Sequence, residues 1–140
     1  MSRVLLVITL LAVVGIVLSA VSLKNHYSGV KTEYCDLGDT FNCDLVNRSV
    51  YSHIGPVPVA AIGLVGYAAL FALSRLRQRG AHLLMLLGAL AGLAFALYLT
   101  YIEAYALGVW CILCLGSLAI IAGITALSAV ALLKTLAIEK

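Results

Sequence analysis

The sequence predicts an all-α integral membrane protein, a bundle of four transmembrane helices in a single domain. Of its 140 residues, 64% are hydrophobic and 11% are charged, whereas a soluble domain carries about 25% charged residues. Four stretches contain almost no charge: residues 4–23, 54–73, 81–102 and 109–133. Each has about 20 residues or more, enough for a helix to cross a hydrocarbon core of roughly 30 Å. Such continuous apolar runs favour helices over barrel strands.

The first stretch follows a basic residue, Arg3, and ends among small residues near Ser22. This pattern is also typical of a cleaved secretory signal. We expect a retained helix, because the apolar run of residues 4–23 is long for a signal core. The predicted sidedness of the chain is the same in both cases.

The second and third stretches each contain two glycines about one helical turn apart, Gly63 with Gly66 and Gly88 with Gly92. Small residues let membrane helices approach each other closely. We therefore assign these glycines to helix packing rather than to a ligand site.

The fourth stretch carries the most specific motif, a pair of cysteines at Cys111 and Cys114 in its first turn. Residues three apart share one helix face, so the two sulfurs can form a bridge. A bridge that closes so short a loop constrains the unfolded chain little, which favours a redox role over a structural one. The amino-terminal end of the helix also favours a thiolate at Cys111.

Basic residues near membrane ends indicate the cytoplasmic side. With four spans, both termini and the loop between the second and third spans lie on the same side of the membrane. Six of the nine lysines and arginines are on that side, namely Arg3, Arg75, Arg77, Arg79, Lys134 and Lys140. The long loop at residues 24–53, here called the redox loop, then lies outside the cytoplasm. This orientation explains the net charge of +3, and no basic groove with interleaved aromatic residues indicates nucleic-acid binding.

The redox loop holds Cys35 and Cys43, so all four cysteines gather at one end of the predicted bundle, in an oxidising compartment. Their eight-residue separation lets them pair within a mobile segment that can exchange with other thiols. Two alternatives stay open: a structural disulfide that braces the loop, and a zinc site of four thiolates. An oxidising compartment disfavours the zinc site.

Several motifs follow one another in a fixed order along the chain, namely Tyr34-Cys35-Asp36, Cys43, Ser49, Gly55-Pro56-Val57-Pro58 and Cys111-Ile112-Leu113-Cys114. In these motifs the whole chain resembles the vitamin K epoxide reductase family, and its bacterial members in particular. This ordered set is far more specific than one pair of cysteines.

The resemblance implies a role for each candidate site residue. Cys35 would exchange with a thioredoxin-like partner, and Cys43 would form a transient bridge to Cys111. Cys114 would deliver electrons to a quinone, with Ser49 near the quinone. The expected cofactor is a quinone of the ubiquinone or menaquinone type, with no metal.

The resemblance also implies that the four helices surround the quinone. A short amphipathic half-helix at about residues 43–52 would cap the pocket from outside. Many bacterial members carry a fused thioredoxin-like domain, whereas this sequence ends at Lys140. We therefore expect a separate DsbA-like thiol oxidant, reoxidised at the outer face of a bacterial cytoplasmic membrane in support of disulfide bond formation.

The sequence departs from the animal members of the family at two positions. Val59 replaces an asparagine four residues before a glycine of the second helix, and Leu118 replaces a tyrosine four residues after the last cysteine. In the animal enzymes these two polar groups contact the vitamin K carbonyls. The resemblance therefore favours ordinary quinone reduction, and vitamin K quinone or epoxide reduction is the alternative.

Two further interpretations compete with this one. The first is a non-enzymatic membrane scaffold whose disulfides only brace its outer face. The second is a DsbB-type oxidase, in which the C-x-x-C pair comes first in the sequence and the more widely spaced pair follows. Here the order is reversed.

Glu103 is the one acidic residue inside or beside a predicted span. A carboxylate in the middle of a membrane costs roughly 2.5–3.5 kcal/mol on insertion scales. Hydration near the interface would remove this cost. The functional alternatives are a proton route for quinone reduction and a contact that positions the redox loop.

Overall fold

The computed structural model describes residues 3–28, 53–54, 57–76, 78–108 and 112–139. Its elements, in chain order, are helix α1 (Arg3–Ser28), strands β1 (His53–Ile54) and β2 (Val57–Pro58), helices α2 (Val59–Ser74) and α3 (Arg79–Ile102), a π-helical turn (Glu103–Leu107) and helix α4 (Ile112–Glu139). Most of the redox loop lies outside the described residues. The predicted half-helix at residues 43–52 lies there too.

Three of the described helices are long and apolar enough to cross a membrane. The qualifying segments are Arg3–Lys24, Arg79–Ala106 and Ile112–Ala137. Helix α2 is equally apolar but has 16 residues, so it is about 24 Å long at 1.5 Å per residue. The chain is thus a helical, multi-pass membrane protein, with one helix shorter than the rest.

The start of the second apolar stretch differs from the prediction. We expected a helix from residue 54, but strands β1 and β2 pair here in an antiparallel ribbon, with His53 opposite Pro58 and Ile54 opposite Val57. The prolines explain the difference, because a proline disfavours helical backbone in the residue before it. Pro58 itself has an extended backbone, with φ −65° and ψ 143°. Helix α2 therefore begins only at Val59, and the fold is not purely helical.

The four helices pack in a ring. Helix α1 contacts α2 and α4, and α3 contacts α4 and α2. Interlocking small and aromatic residues join α1 to α2: the ring of Tyr67 lies against the backbone of Gly15, and a Cβ at Gly63 would stand 3.1 Å from Ser19 Oγ. The buried apolar core of the ring comprises Leu5, Ile8, Ala12, Tyr67, Leu70, Met85, Ala89, Ile121, Ile124 and Ala131.

Large apolar side chains cover much of the outer surface of this ring. Examples from three helices are Leu10, Val65 and Leu133, each more than half exposed. A soluble protein rarely exposes contiguous apolar area on this scale, whereas lipid tails are as apolar as these side chains. The outward faces of the helices therefore fit contact with lipid.

Candidate functional site

A cavity of about 430 Å³ lies between the four helices. This volume falls within the range of roughly 300–1,000 Å³ that small-molecule sites occupy. Most of the lining side chains are apolar. The polar lining residues are Ser19, Ser22, Tyr67, Glu103, Cys114 and Ser117.

Cys114 and Glu103 come from the two helix ends that meet on one side of this cavity. Cys114 lies in the first turn of α4 and is half-buried, and Glu103 directly follows α3. Only 1% of Glu103 is exposed, so the carboxyl group lies within the protein rather than at its surface. The structure thus combines a sulfur, a carboxyl group and an apolar cavity at the end of the bundle where α4 begins, here called the Cys114 end.

Glu103 is the first residue of the π-helical turn that follows α3. Such turns are rare in proteins, and those that occur are often found at functional sites. Glu103 is buried, whereas Tyr101 before it and Tyr105 after it are 63% and 78% exposed and have ring centroids 4.8 Å apart. Gly108 follows with a φ of +70°, a backbone conformation that glycine adopts without steric cost. Glu103 continues the inward face of α3, one turn beyond the cavity residue Leu99.

A second polar group within the cavity joins α2 to α4. The Tyr67 hydroxyl lies 3.0 Å from the Ser117 carbonyl oxygen, to which it donates, and 2.7 Å from Ser117 Oγ. Tyr67 is buried and Ser117 is half-buried. We refer to these two residues as the Tyr67–Ser117 pair.

The sequence analysis did not single out either residue of this pair, although signals were present. A tyrosine inside an apolar span needs a partner for its hydroxyl, and Ser117 lies one turn beyond Cys114 on the same helix. Residues three apart share a helix face. A search for hydroxyl groups on the Cys114 face of the fourth stretch would have found Ser117.

The four glycines assigned to helix packing all line the cavity as well. Packing is part of the explanation, since a Cβ at Gly63 would meet Ser19 and one at Gly92 would stand 3.3 Å from Ile121. Gly66 differs, because a Cβ there would meet nothing within 4 Å. The glycines therefore both bring the helices together and leave room for the cavity.

Of the residues predicted for the site, the structure describes Cys114 and Glu103 and brings both to the cavity. Cys35, Cys43, Ser49 and Cys111 lie outside the described residues. Within the part of the chain that is described, no three His, Cys, Asp or Glu side chains gather as they would around a metal ion. The zinc alternative needs all four cysteines, and the described residues include only Cys114, so they do not test it.

Comparison with known proteins adds one finding. The family model described as the vitamin K epoxide reductase family matches residues 6–129. The matched segment contains every residue of the cavity and all four cysteines. A search of curated proteins found no match.

Proposed function

The chain belongs to the vitamin K epoxide reductase family, and on that premise we propose that it is a membrane thiol–quinone oxidoreductase. The family itself establishes a membrane redox function of the quinone or epoxide reductase type. Our proposal is more specific. It states that electrons pass from the thiols of a thioredoxin-like, DsbA-like partner, through two pairs of cysteines, to a quinone.

The observation that carries this proposal is the position of Cys114 on an otherwise largely apolar cavity. An apolar lining favours a lipid-soluble ring compound over a charged or strongly polar substrate. The sulfur is the group in this lining that can exchange electrons by forming and breaking a disulfide. A quinone is an electron acceptor that meets both conditions, and it reaches such a cavity from the lipid.

The proposed relay uses all four cysteines. The partner dithiol is oxidised to a disulfide as it reduces the Cys35–Cys43 pair, and Cys43 then reduces the Cys111–Cys114 pair through a transient bridge to Cys111. Each exchange breaks one S–S bond and forms another. When bound, the quinone supplies the acceptor for two electrons and two protons, so that one dithiol and one quinone give one disulfide and one quinol.

Two further residues are proposed to act at the quinone site. We assign Ser49 of the redox loop to the quinone-binding site and Glu103 to a proton or positioning role beside Cys114. Val59 lines the cavity with an apolar side chain, at the position where the animal enzymes have an asparagine. This supports ordinary quinone reduction over reduction of vitamin K epoxide.

The proposed topology has four spans, with α2 as the short one. Both termini then lie in the cytoplasm, and the redox loop and the Cys114 end lie outside it. The basic residues between α2 and α3 and near both termini support this orientation. The thiol partner is accordingly a protein of an oxidising compartment.

The test is an anaerobic assay with the full chain in detergent, a reduced thioredoxin-like partner and a short-chain ubiquinone. We expect partner-dependent quinol formation by the wild type, with loss to the protein-free rate in Cys35→Ala and in Cys114→Ala. Ser128→Ala is the matched control, because Ser128 is a fully buried residue of α4 in the half of the helix away from Cys114.

Two results would contradict the relay. One is a wild-type rate equal to the protein-free blank. The other is unchanged activity in both cysteine variants. Either result would favour the scaffold interpretation, in which the cysteines only brace the outer face.

A further inference from the structure

Tyr67 reaches across the interior of the bundle. It is 5% exposed, its ring lies against Gly15 of α1, and its hydroxyl meets Ser117 of α4. Both Tyr67 and Ser117 line the cavity. The Tyr67 side chain is therefore held by Gly15 at its ring and by Ser117 at its hydroxyl. Its hydroxyl thus has a fixed place on the cavity surface.

The hydroxyl of Ser117 is used differently from the threonine hydroxyls of the described helices. Thr9, Thr100, Thr125 and Thr135 each donate to the carbonyl oxygen four residues earlier. That internal bond is the common way for a hydroxyl to be satisfied within a helix. Ser117 Oγ instead pairs with Tyr67 at 2.7 Å, which keeps it directed to the interior where the cavity lies.

We propose that Ser117 donates a hydrogen bond to one carbonyl oxygen of the quinone, and that Tyr67 is the positioning residue that holds the Ser117 hydroxyl for this contact. This inference rests on the proposed thiol–quinone function. It adds a binding group that is separate from the cysteine relay and from Glu103.

The pair can donate to a ligand without leaving a polar atom unsatisfied. In one arrangement Tyr67 donates to the Ser117 carbonyl oxygen, and Ser117 Oγ donates to the Tyr67 oxygen. In the other, Tyr67 donates to Ser117 Oγ, and the Ser117 hydrogen is available to the cavity. Both use the same heavy-atom distances, 3.0 and 2.7 Å. The second forms a chain of hydrogen bonds, in which each bond strengthens the next.

The position of Ser117 relative to Cys114 fits one ring between them. The two residues are three apart, so they share a face of α4 and are separated by about 4.5 Å along the helix axis. The carbonyl groups of a quinone lie on opposite sides of a single six-membered ring. A ring that lies along this face can therefore have one carbonyl group near the Cys114 sulfur and the other near the Tyr67–Ser117 pair.

The key variant is Ser117→Ala, which removes Oγ and leaves the carbonyl oxygen of residue 117 as acceptor for Tyr67. No buried donor is left without an acceptor, so we expect the protein to fold. Tyr67→Phe keeps the ring against Gly15 and removes the positioning hydroxyl. Ser74→Ala is the matched control, because Ser74 makes a similar hydroxyl pair between α1 and α2, with Thr9 Oγ1 at 2.8 Å, and is not a cavity residue.

The readouts are binding of a short-chain ubiquinone and the infrared carbonyl bands of that quinone, with ¹³C at either carbonyl carbon in turn. In the wild type and in Ser74→Ala, we expect one carbonyl band below its frequency in detergent alone. In Ser117→Ala that band should return to the detergent value, and Kd should rise about fivefold, as expected for one neutral hydrogen bond. Tyr67→Phe should give a smaller shift in the same direction.

The outcomes separate this inference from the function on which it rests. If the wild type does not bind the quinone, or if Cys114→Ala retains full turnover, the proposed function fails and this inference fails with it. If Cys114→Ala is inactive but Ser117→Ala matches wild type in Kd and in both carbonyl bands, only this inference is overturned. The pair is then solely a tie between two helices.

Discussion

Glu103 places a carboxyl group among the mostly apolar residues of the cavity. Burying such a group in a membrane protein costs roughly 2.5–3.5 kcal/mol on insertion scales, and Glu103 is 1% exposed. The structure therefore argues against simple hydration at the interface. The two functional alternatives remain, a proton route and a contact that positions the redox loop.

Two substitutions at Glu103 separate these alternatives. Glutamine keeps the shape and the hydrogen-bonding oxygen but cannot carry a proton, whereas leucine keeps only the size. We expect both Glu103→Gln and Glu103→Leu to lower quinol formation about 100-fold, in the range of general acid–base catalysis. Thermal unfolding shows whether each variant is folded, so that a loss of turnover reports on the carboxyl group itself. Turnover and thermal unfolding in detergent are the measurements.

The glutamine variant decides the outcome. If Glu103→Gln keeps wild-type turnover and Glu103→Leu loses it, the carboxyl group positions the redox loop by hydrogen bonding. If both variants retain full turnover, Glu103 has neither role.

At the scale of single elements, composition predicted the long helices well and the irregular segments poorly. Helix α3 begins at Arg79, two residues before the predicted stretch, and α1 runs from Arg3 to Ser28, five residues beyond it. Hydropathy marks only the apolar part of a helix, and polar residues at the membrane surface extend it. The β1–β2 ribbon and the π-helical turn arise from local backbone constraints, which hydropathy does not register.

The resemblance implied a pocket between the helices, but most of its lining residues could not be identified from the sequence, for a related reason. An apolar span has no polar face to show which side is buried, so the inward direction of Tyr67 or Gly66 depends on how the helices pack. The cysteine pair and Glu103 could be identified, because sulfur and charge are rare in a membrane span. Hydroxyl groups and glycines are common there, so Ser117 could be recognised only by its place one turn beyond Cys114 on the same helix face.

The contact between α1 and α2 depends on the absence of a side chain at Gly15. A Cβ at this position would overlap the ring of Tyr67, which is fixed by its bonds to Ser117. We expect Gly15→Ala to lower the free energy of unfolding by about 1–3 kcal/mol, the usual cost of overpacking. Unfolding in detergent, followed by circular dichroism, is the measurement.

Gly80→Ala is the control for this prediction. A Cβ at Gly80 would meet nothing within 4 Å, and alanine is favoured over glycine in a helix by about 1 kcal/mol. We expect this variant to be as stable as the wild type or slightly more so. Equal stability of the two variants would show that α1 and α2 are not in close contact at Gly15.

At the scale of the whole molecule, the ring of helices has two kinds of apolar surface. The outer faces carry large exposed side chains such as Leu84 and Leu97, which lipid can cover. The inner faces carry glycines, which leave space for the cavity. Cys114, Glu103 and Ser117 of the cavity lining lie toward the Cys114 end, where the redox loop also connects. The bundle therefore separates a lipid-facing exterior from an interior suited to redox chemistry.

The length of α2 makes the membrane topology a sharp test of this arrangement. With α2 crossing, the chain has four spans and both termini lie on one side; with only the three longer helices crossing, the termini lie on opposite sides. At about 24 Å, α2 is shorter than the roughly 30 Å hydrocarbon core, but local thinning of the bilayer can accommodate a short helix. Its contacts with α1 and α3 also require it to run beside spanning helices.

We therefore expect peptide tags at Met1 and at Lys140 to be protected from protease in intact spheroplasts and cleaved in inside-out vesicles. A tag inserted in the redox loop should show the reverse. The basic residues around Arg75 and Arg79 support this orientation, because such residues are retained on the cytoplasmic side. Opposite accessibility of the two terminal tags would mean that α2 does not cross. The redox loop and Cys114 would then lie on different sides, and the four-cysteine relay would be impossible.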